Sequence, residues 1–245
     1  MQQDFENYDL ITPTANISAP THGGRAKCLQ RLVRLDLPVP KTVALSFDAI
    51  KGIVSGKMPD LIDILSNFDA KDTLCVRPSS ESIDWGGPGA VLNIGMNSER
   101  HLYLKKYIGG KAASELYFRF IQAYSVSVAR LDPDVFDHIT GANGNSVSAA
   151  LAAYKDEMDE SFPQSIEHQL SEVLRSMARA WEGTSARLLR EAKGAPADAG
   201  LGLVIQKMAF GVGEGESGSG VLQLVNSDTG QSQITGRYLS QSQGR

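Results

Sequence analysis

Apolar residues recur at helical spacing in five parts of the chain, and each part predicts a helix with one buried face. Four of the predicted helices cover residues 24–37, 49–68, 112–131 and 151–158, and the second of them has only a weak pattern. The clearest pattern follows Pro163, which suits a first helical turn, and it ends at the stop signals Lys193–Gly194 and Pro196. Gly183–Thr184 is predicted to interrupt this last helix.

Short runs of apolar and β-branched residues predict strands between and after these helices. The runs cover residues 42–46, 73–77, 90–94, 201–210, 220–226 and 232–239. The chain is thus predicted to have a mixed α/β (α+β) fold. Its expected parts are a flexible N-terminal arm (1–22), a first α/β subdomain (23–98), a helical subdomain (99–162) and a final helix with antiparallel strands (163–245). The arm is polar, contains Pro13 and Pro20 and shows no periodicity, so we expect it to be extended or flexible and without chemistry of its own.

A glycine-rich stretch, GVGEGESGSG at residues 211–220, separates two of the predicted strands. Gly213, Gly215 and Gly218 satisfy the spacing G-x-G-x-x-G, but a dinucleotide site needs a helix after this motif, and here a strand follows. No Walker A motif occurs in the sequence. What remains is a glycine loop between two antiparallel strands. It is either a mobile surface hairpin or a loop whose backbone N–H groups approach phosphate, because glycine carries no Cβ.

Two arginines add to the case for phosphate. Arg25 lies with Lys27 in the first turn after Gly23–Gly24, where a helix N-terminus favours an anion, although a solvated basic face explains these residues equally well. Arg77 is predicted to end a strand beside the hydroxyl groups of residues 79 and 80. A guanidinium fixed beside hydroxyl groups would form a fork for phosphate.

Two residues on the strand that enters the glycine loop fit a nucleotide base. Gln206 and Met208 alternate along this strand and are therefore expected to point the same way. The methionine would pack on an adenine ring, or it simply belongs to the core.

Composition and charge narrow the class of protein. With 42% apolar residues, 245 residues can bury a sizeable core, while a net charge of -4 with scattered lysines and arginines gives no cationic surface for nucleic acid or an anionic membrane. No run approaches the roughly 20 apolar residues of a membrane span, and the start lacks the pattern of a signal peptide, so we expect a cytoplasmic protein. The two cysteines and four histidines show no metal-ligand spacing.

Together these features resemble the nucleotide-binding domain of the pyruvate phosphate dikinase and phosphoenolpyruvate synthase family, which has an ATP-grasp fold. GGRAKCL at 23–29 is similar to the family's G-G-K-G-x-N-L helix start, and VRPSS at 76–80 running on to VLNIGMN at 91–97 is similar to its V-R-S-G-A and T-V-L-N-L-G-L-N stretch. Further similar segments are YFRFIQAYS, FPQ, VIQKMAFG, SGSGV and GRYLSQSQG. The resemblance covers nearly the whole chain after residue 22.

The resemblance implies an ATP-grasp-like domain with a helical insertion, in which residues 211–220 fold over the phosphates of ATP. In the family, this domain phosphorylates a histidine on a separate domain, and a third domain passes the phosphoryl group to pyruvate. Arg25 takes the place of the family's phosphate-binding lysine, Arg77 matches its phosphate-binding arginine, and Gln206 and Met208 match the segment beside adenine. The expected nucleotide-binding residues are Arg25, Arg77, Gln206, Met208, Gly213, Gly215, Gly218, Ser219 and Gly220.

Departures from the family pattern bear on catalysis. Arg237 and Arg245 stand where the family has glutamates, and the sequence reaches Arg245 before the family's metal-binding D-x-E pair. We therefore expect the family's ligands for Mg²⁺ to be absent, although Mg²⁺ normally neutralises charge in phosphoryl transfer. No catalytic or metal-binding residue is predicted.

Three hypotheses remain open for the function. The chain is a phosphotransferase subunit, inactive alone, whose phosphohistidine and pyruvate-binding domains lie on a separate polypeptide. Alternatively it is a catalytically inactive regulatory or scaffold module that binds a nucleotide or another anion, with Arg237 and Arg245 partly substituting for a cation. The third hypothesis is a decayed reading frame without function.

Overall fold

The computed structural model describes residues 8–139, 144–213 and 215–243. The strands are β1 Tyr8–Leu10, β2 Thr42–Leu45, β3 Leu74–Ser80, β4 Val91–Ile94, β5 Leu201–Lys207, β6 Gly218–Val225 and β7 Ser232–Ser240. The α-helices are α1 Ala19–Arg34, α2 Phe47–Val54, α3 Leu61–Ser66, α4 Ser98–Tyr107, α5 Gly110–Tyr124, α6 Gly144–Met158, α7 Ile166–Glu182 and α8 Thr184–Ala192. A π-helical turn, Ser125–Ala129, continues α5. The predicted mixed α/β fold is confirmed.

The larger sheet has the strand order β1-β2-β5-β3-β4, and all of its neighbouring strands are antiparallel. Its central strand is β5, which pairs with β2 on one side and with β3 on the other. The sequence of β5, LGLVIQK, is apolar on both faces up to Ile205, as a strand covered on both sides requires. Strands β6 and β7 form a separate two-stranded ribbon.

One face of the larger sheet packs against α5 and α7 and forms the main core. Leu74 and Val76 of β3 alternate with residues that face away from this core. The predicted apolar stripe of α7 is buried here, including Leu170 and Trp181. Phe162, just before α7, contacts four aromatic rings of α5 and α6 at centroid distances of 5.1 to 6.4 Å.

Helix α1 covers part of the opposite face of the sheet. Ala26 packs there with Ala44 of β2 and Val204 of β5, and Leu29 and Val33 border this second cluster. The helix breaks at Gly23, which has a φ of 84°. This break agrees with the predicted helix start at the glycine pair, although one more helical turn precedes it.

Residues 8–22 are not the flexible arm that the polar composition predicted. Tyr8–Leu10 pairs with β2, and Ile11 and Ile17 are buried in the second cluster. The apolar residues are too few and too irregularly spaced to show a period, but the sheet edge and α1 cover them. Residues 1–7 of the predicted arm lie outside the described part of the chain, and the division into subdomains stays a prediction.

Three further details differ from the sequence prediction. Arg77 does not end β3, because the strand continues to Ser80 and pairs with β5 along its whole length. Pro163 does not lie in the first turn of α7, because Ser165 caps that helix through its hydroxyl group. The helix does end at Glu182 and restarts as α8, as Gly183–Thr184 predicted.

The fourth difference concerns the glycine stretch, which was expected to join two antiparallel strands. In the described residues β5 pairs only with β2 and β3, and β6 pairs only with β7. The loop therefore connects the larger sheet to the ribbon rather than closing a hairpin. Within the described ranges, no helix combines the length and the apolar character that crossing a membrane would demand.

Candidate functional site

A cleft of about 320 Å³ lies between the end of the larger sheet and the start of the ribbon. It brings together Arg77 of β3, Gln206 of β5, Met208 just after β5, and the predicted residues at the start of β6, namely Gly218, Ser219 and Gly220. Pro40, Leu92 and Phe210 add apolar surface to its wall. Pro40, Arg77 and the residues from 206 onward lie far apart in the sequence, and the fold brings them together.

The cleft uses the sheet face opposite the main core. Because side chains alternate along a strand, Cys75 and Arg77 point away from the core residues Leu74 and Val76. Cys75 pairs across the sheet with Gln206, so the three polar side chains lie side by side. Burial raises the pKa of the Cys75 thiol, and the charge of Arg77 opposes this rise.

Gln206 and Met208 are held by hydrogen bonds. The Gln206 side chain is buried, and its Nε2 donates to Thr42 Oγ1 at 2.8 Å. The Met208 backbone N–H donates to the Thr73 carbonyl oxygen at 2.8 Å. The side chain of Gln206 and the backbone of Met208 are therefore fixed at the wall of the cleft.

Arg25 lies beside the cleft but does not line it. Its Nε donates to the Pro78 carbonyl oxygen at 2.8 Å, and it lines a neighbouring pocket of about 550 Å³. Burial, followed by the charge of Arg77, lowers the pKa of Arg25. The two guanidinium groups thus raise the local positive potential together, and an anion between them would relieve their repulsion.

The predicted hydroxyl partners of Arg77 are used elsewhere. Ser79 Oγ accepts from the Ala26 backbone N–H at 3.0 Å and donates to the His22 carbonyl oxygen at 2.6 Å. Ser80 Oγ donates to the Ser82 carbonyl oxygen at 2.7 Å. The expected fork of guanidinium and serine hydroxyl groups is therefore wrong in this structure, because Ser79 fastens α1 to β3.

Two glutamines that the sequence analysis missed hold the glycine loop. Gln243 Oε1 accepts from the Gly211 backbone N–H at 2.9 Å, and its Nε2 donates to the Ala209 carbonyl oxygen at 3.0 Å. Gln241 Oε1 accepts from the Gly213 N–H at 3.1 Å, and its Nε2 donates to the Gly215 carbonyl oxygen at 2.9 Å. Gln241 has a φ of 48° and lies in the turn after β7, so no strand or helix period in the sequence marked these two residues.

The glycines of the stretch have different roles. Gly213 and Gly215 belong to the loop and do not line the cleft, whereas Gly218 and Gly220 do. A Cβ at Gly218 would lie 2.5 Å from the Leu239 carbonyl oxygen, and one at Gly220 would lie 2.4 Å from the Arg237 carbonyl oxygen. These two glycines therefore permit the close approach of β6 to β7.

The chain matches curated proteins over most of its length, although no protein-family model matches it. It is 27% identical over 259 residues to the pyruvate, phosphate dikinase of Clostridium symbiosum and 29% identical over 258 residues to that of Rhizobium meliloti (strain 1021). It is also 24% identical over 257 residues to the chloroplastic pyruvate, phosphate dikinase of Mesembryanthemum crystallinum. Each match covers 91% of this chain. The chain is a relative of the pyruvate, phosphate dikinases.

The dikinases are much longer than the region of similarity. The chain spans 30% of the Clostridium dikinase, 29% of the Rhizobium dikinase and 27% of the Mesembryanthemum dikinase. The match therefore shows relatedness, and the activity of a whole dikinase does not follow from it.

The structure does not bring Arg237, which the sequence resemblance aligned with a glutamate, into the cleft. Arg237 lies on β7 opposite Val221, where it is exposed and lines a shallow hollow of the ribbon. Its predicted role as a substitute cation beside phosphate therefore has no geometric support here. Arg245, the second such arginine, lies outside the described residues.

The resemblance to the dikinases suggests Mg²⁺ as the metal to test against the site. The described residues contain no group of three or more histidine, cysteine, aspartate or glutamate side chains placed to hold a metal ion. The described lining of the cleft also contains no carboxylate. Since Mg²⁺ is bound through carboxylate and other oxygen ligands, these residues do not fit a magnesium site.

Proposed function

We propose that the cleft binds ATP. The observation that carries this proposal is the meeting, in one cleft, of Arg77, Gln206, Met208 and 218–220, which the likeness to the dikinases had marked from separate parts of the sequence. Arg25 lies beside them with its own positive charge. A nucleotide needs an apolar wall with polar groups for the base and cations for the phosphates, and this combination of residues supplies both.

The side chains divide between base and phosphates by their chemistry. Met208, Leu92 and Phe210 offer apolar surface to the adenine ring. In the proposed complex Arg77 binds a phosphate oxygen, and Arg25 contributes from the side of Pro78. The phosphates thus lie at the side of the cleft nearest to α1.

The glycine loop takes part only after a change of partners. The N–H groups of Gly211 and Gly213 are now bonded to Gln243 and Gln241. Phosphate oxygens would have to replace the two glutamine side chains before the loop could bind them through its backbone. Nucleotide binding is therefore expected to loosen these glutamine contacts.

Two fates of the bound nucleotide are proposed. In the first, the chain supplies the phosphoryl group to a histidine on a separate polypeptide that also carries the pyruvate-binding part. In the second, the chain binds the nucleotide or a similar anion without phosphoryl transfer, and regulates or scaffolds a partner. The basic lining without a carboxylate among its described residues favours the second.

Calorimetric titration of ATP tests the proposal, with Mg²⁺ in one series and EDTA in another. Arg77→Ala should weaken binding at least about tenfold, because a charge-assisted hydrogen bond contributes roughly 1.5 to 3 kcal/mol. Arg31→Ala is the matched control, since Arg31 is an exposed arginine of α1 that lines no described pocket.

The outcomes separate the alternatives. Binding that persists in EDTA supports the non-catalytic module, and binding that requires Mg²⁺ supports the phosphotransferase. Equal affinity of the Arg77→Ala and Arg31→Ala variants would show that the nucleotide binds elsewhere. No binding by the wild-type chain in either series would reject the proposal.

A further inference from the structure

A second cavity, of about 430 Å³, lies at the other end of β5 from the cleft. Its walls are one face of α2, the end of α7, one side of α8 and the segment that leads into β5. The lining includes Phe47, Ile50 and Val54 on the apolar side, and Lys51, Arg187 and Arg190 as cations.

Arg190 is the unusual residue of this cavity. Only 6% of its surface is exposed, and its guanidinium lies 3.6 Å from the ring centre of Trp181. Its Nη1 donates to the Trp181 carbonyl oxygen at 2.7 Å. Among the described side chains, no carboxylate comes within ion-pair distance of it.

A buried cation that no carboxylate contacts directly is costly. Burial is the main cause that lowers the pKa of Arg190, and the more distant charges of Glu182 and Glu191 oppose this shift. A guanidinium carries five N–H donors, and the bond to Trp181 uses one of them. Arg190 also lines the cavity, so further donors are available to a molecule bound there. An oxyanion in the cavity would bring a negative charge into direct contact with the guanidinium.

The other charged groups limit the charge of the ligand. Arg187 is paired with Glu182 at 3.5 Å, and Lys51 is paired with Asp48 at 3.5 Å, so both rim cations are partly neutralised. Glu182 and Asp198 add negative charge to the lining. A ligand with several separate anionic groups would be repelled by these carboxylates, whereas a ligand with one anionic group can reach Arg190.

The remaining wall selects an apolar body. Phe47 and Ile50 of α2 and Leu201 of β5 face the cavity together with Trp181. We propose that this cavity binds a small organic anion with one carboxylate or phosphate group on an apolar body, and that the oxyanion contacts Arg190. The apolar part lies against α2, and Arg187 and Lys51 attract the ligand at the rim.

Trp181 provides a direct readout for this binding. The chain has two tryptophans, so Trp85→Phe leaves Trp181 as the single tryptophan. Benzoate and phenyl phosphate are titrated separately to distinguish a carboxylate from a phosphate, and benzyl alcohol is the neutral analogue. A saturable fluorescence change with at least one anion, and none with benzyl alcohol, is the expected result.

Variants locate the binding. Arg190→Met should abolish the response, and Arg187→Gln and Lys51→Gln should each weaken it several-fold while leaving the buried contacts of Arg190 intact. Arg175→Gln is the matched control, because Arg175 is about as exposed as Arg187 and pairs with Glu172 at 3.3 Å, outside this cavity. Circular dichroism checks that each variant is folded. If Arg190→Met does not fold, the responses of the two rim variants test the proposal.

Two results would overturn the proposal. One is the absence of a saturable response to both anions up to about 20 mM, well above the millimolar range of weak small-molecule binding. The other is a response that Arg187→Gln and Lys51→Gln leave as strong as Arg175→Gln does. Neither result bears on the ATP cleft, whose residues lie at the opposite end of β5.

Discussion

Gly23 shows how a single residue decides where α1 can lie on the sheet. Its φ is 84°, and a Cβ at this position would come within 1.7 Å of the Ser79 carbonyl oxygen. The Ser79 hydroxyl group then bonds to backbone groups on both sides of the break in α1. In the sequence, Gly23–Gly24 indicated an anion site at the start of a helix. In the structure, Gly23 is required because the backbones of α1 and β3 cross here at close distance. Arg25 owes its position beside the cleft to the same crossing.

Replacing Gly23 should therefore destabilise the protein strongly. Gly23→Ala adds a steric conflict with β3 to the cost of an alanine at positive φ, and we expect a loss of about 3 kcal/mol or more in the free energy of unfolding. Gly56 is the matched control, because its φ is 88° and a Cβ there would have no atom within 4 Å. Gly56→Ala should cost only about 1 to 2 kcal/mol, the strain of the positive φ alone. Urea denaturation measures both variants, and equal losses would mean that the contact with β3 is not tight.

At the scale of elements, the glycine loop joins the larger sheet, which is largely buried, to the ribbon, which is largely exposed. Strands of the larger sheet are covered on at least one face by helices, but the ribbon of β6 and β7 exposes its apolar side chains, and none of them belongs to either core cluster. Val221 is 76% exposed and Ile234 is 80% exposed. The loop between the sheet and the ribbon is positioned by the side chains of Gln241 and Gln243, which follow the ribbon directly.

Removing these two side chains should loosen the loop without unfolding the sheet. In the double variant Gln241→Ala, Gln243→Ala, the N–H groups of Gly211 and Gly213 lose their acceptors. Since one such hydrogen bond contributes roughly 0.5 to 1.5 kcal/mol, amide hydrogen exchange at both glycines should accelerate about two- to tenfold. Exchange is measured by NMR.

Gln223→Ala is the control for this prediction, because Gln223 lies on the exposed ribbon and bonds only within it, to the Val225 carbonyl oxygen. It should leave exchange at Gly211 and Gly213 unchanged. If the double variant behaves like this control, the glutamines do not restrain the loop.

At the scale of the whole molecule, the sequence predicted the helices and strands that have a periodic apolar pattern. It did not predict burial or strand pairing that depends on residues distant in the chain. The stripe of α7 and the apolar strand β5 follow from spacing alone, and both are confirmed. Ile11 and Ile17 could not be recognised as core, because their burial depends on α1 and the sheet rather than on a local pattern. Similarly, the prediction that β6 pairs with β5 was wrong, because the sequence of a single strand does not specify the strand with which it pairs.

The candidate site shows the same division between local pattern and distant contact. Arg77 of β3 and Gln206 of β5 lie on the same face of the sheet, and both belong to segments that resemble the dikinase motifs. The bonds of Ser79 to α1, and the position of Arg25 outside the cleft, depend on how α1 crosses β3. No spacing in the sequence carries that information.

The stability of the whole fold should depend on pH through a buried histidine. His101 of α4 is 7% exposed, its Nε2 lies 3.0 Å from Ser114 Oγ of α5, and its ring centre lies 5.4 Å from that of Tyr117. Burial, followed by the charge of Lys105, lowers the pKa of His101 below its ordinary value. The unfolded chain therefore takes up a proton at a higher pH than the folded chain does.

From this difference the direction of the pH effect follows. Above the ordinary histidine pKa of about 6.5 His101 is neutral in both states, and its packing stabilises the fold fully. As the pH falls below that value, protonation favours the unfolded chain, and the free energy of unfolding decreases. In His101→Gln this part of the decrease should disappear, so the loss of unfolding free energy between about pH 7.5 and about pH 5 should be smaller than in the wild type.

Urea denaturation at each pH measures the free energy of unfolding. The control is His168→Gln, at an exposed position of α7, which should keep the wild-type dependence of this free energy on pH. A variant at position 101 with the same slope as this control would show that another group governs the acid loss of stability.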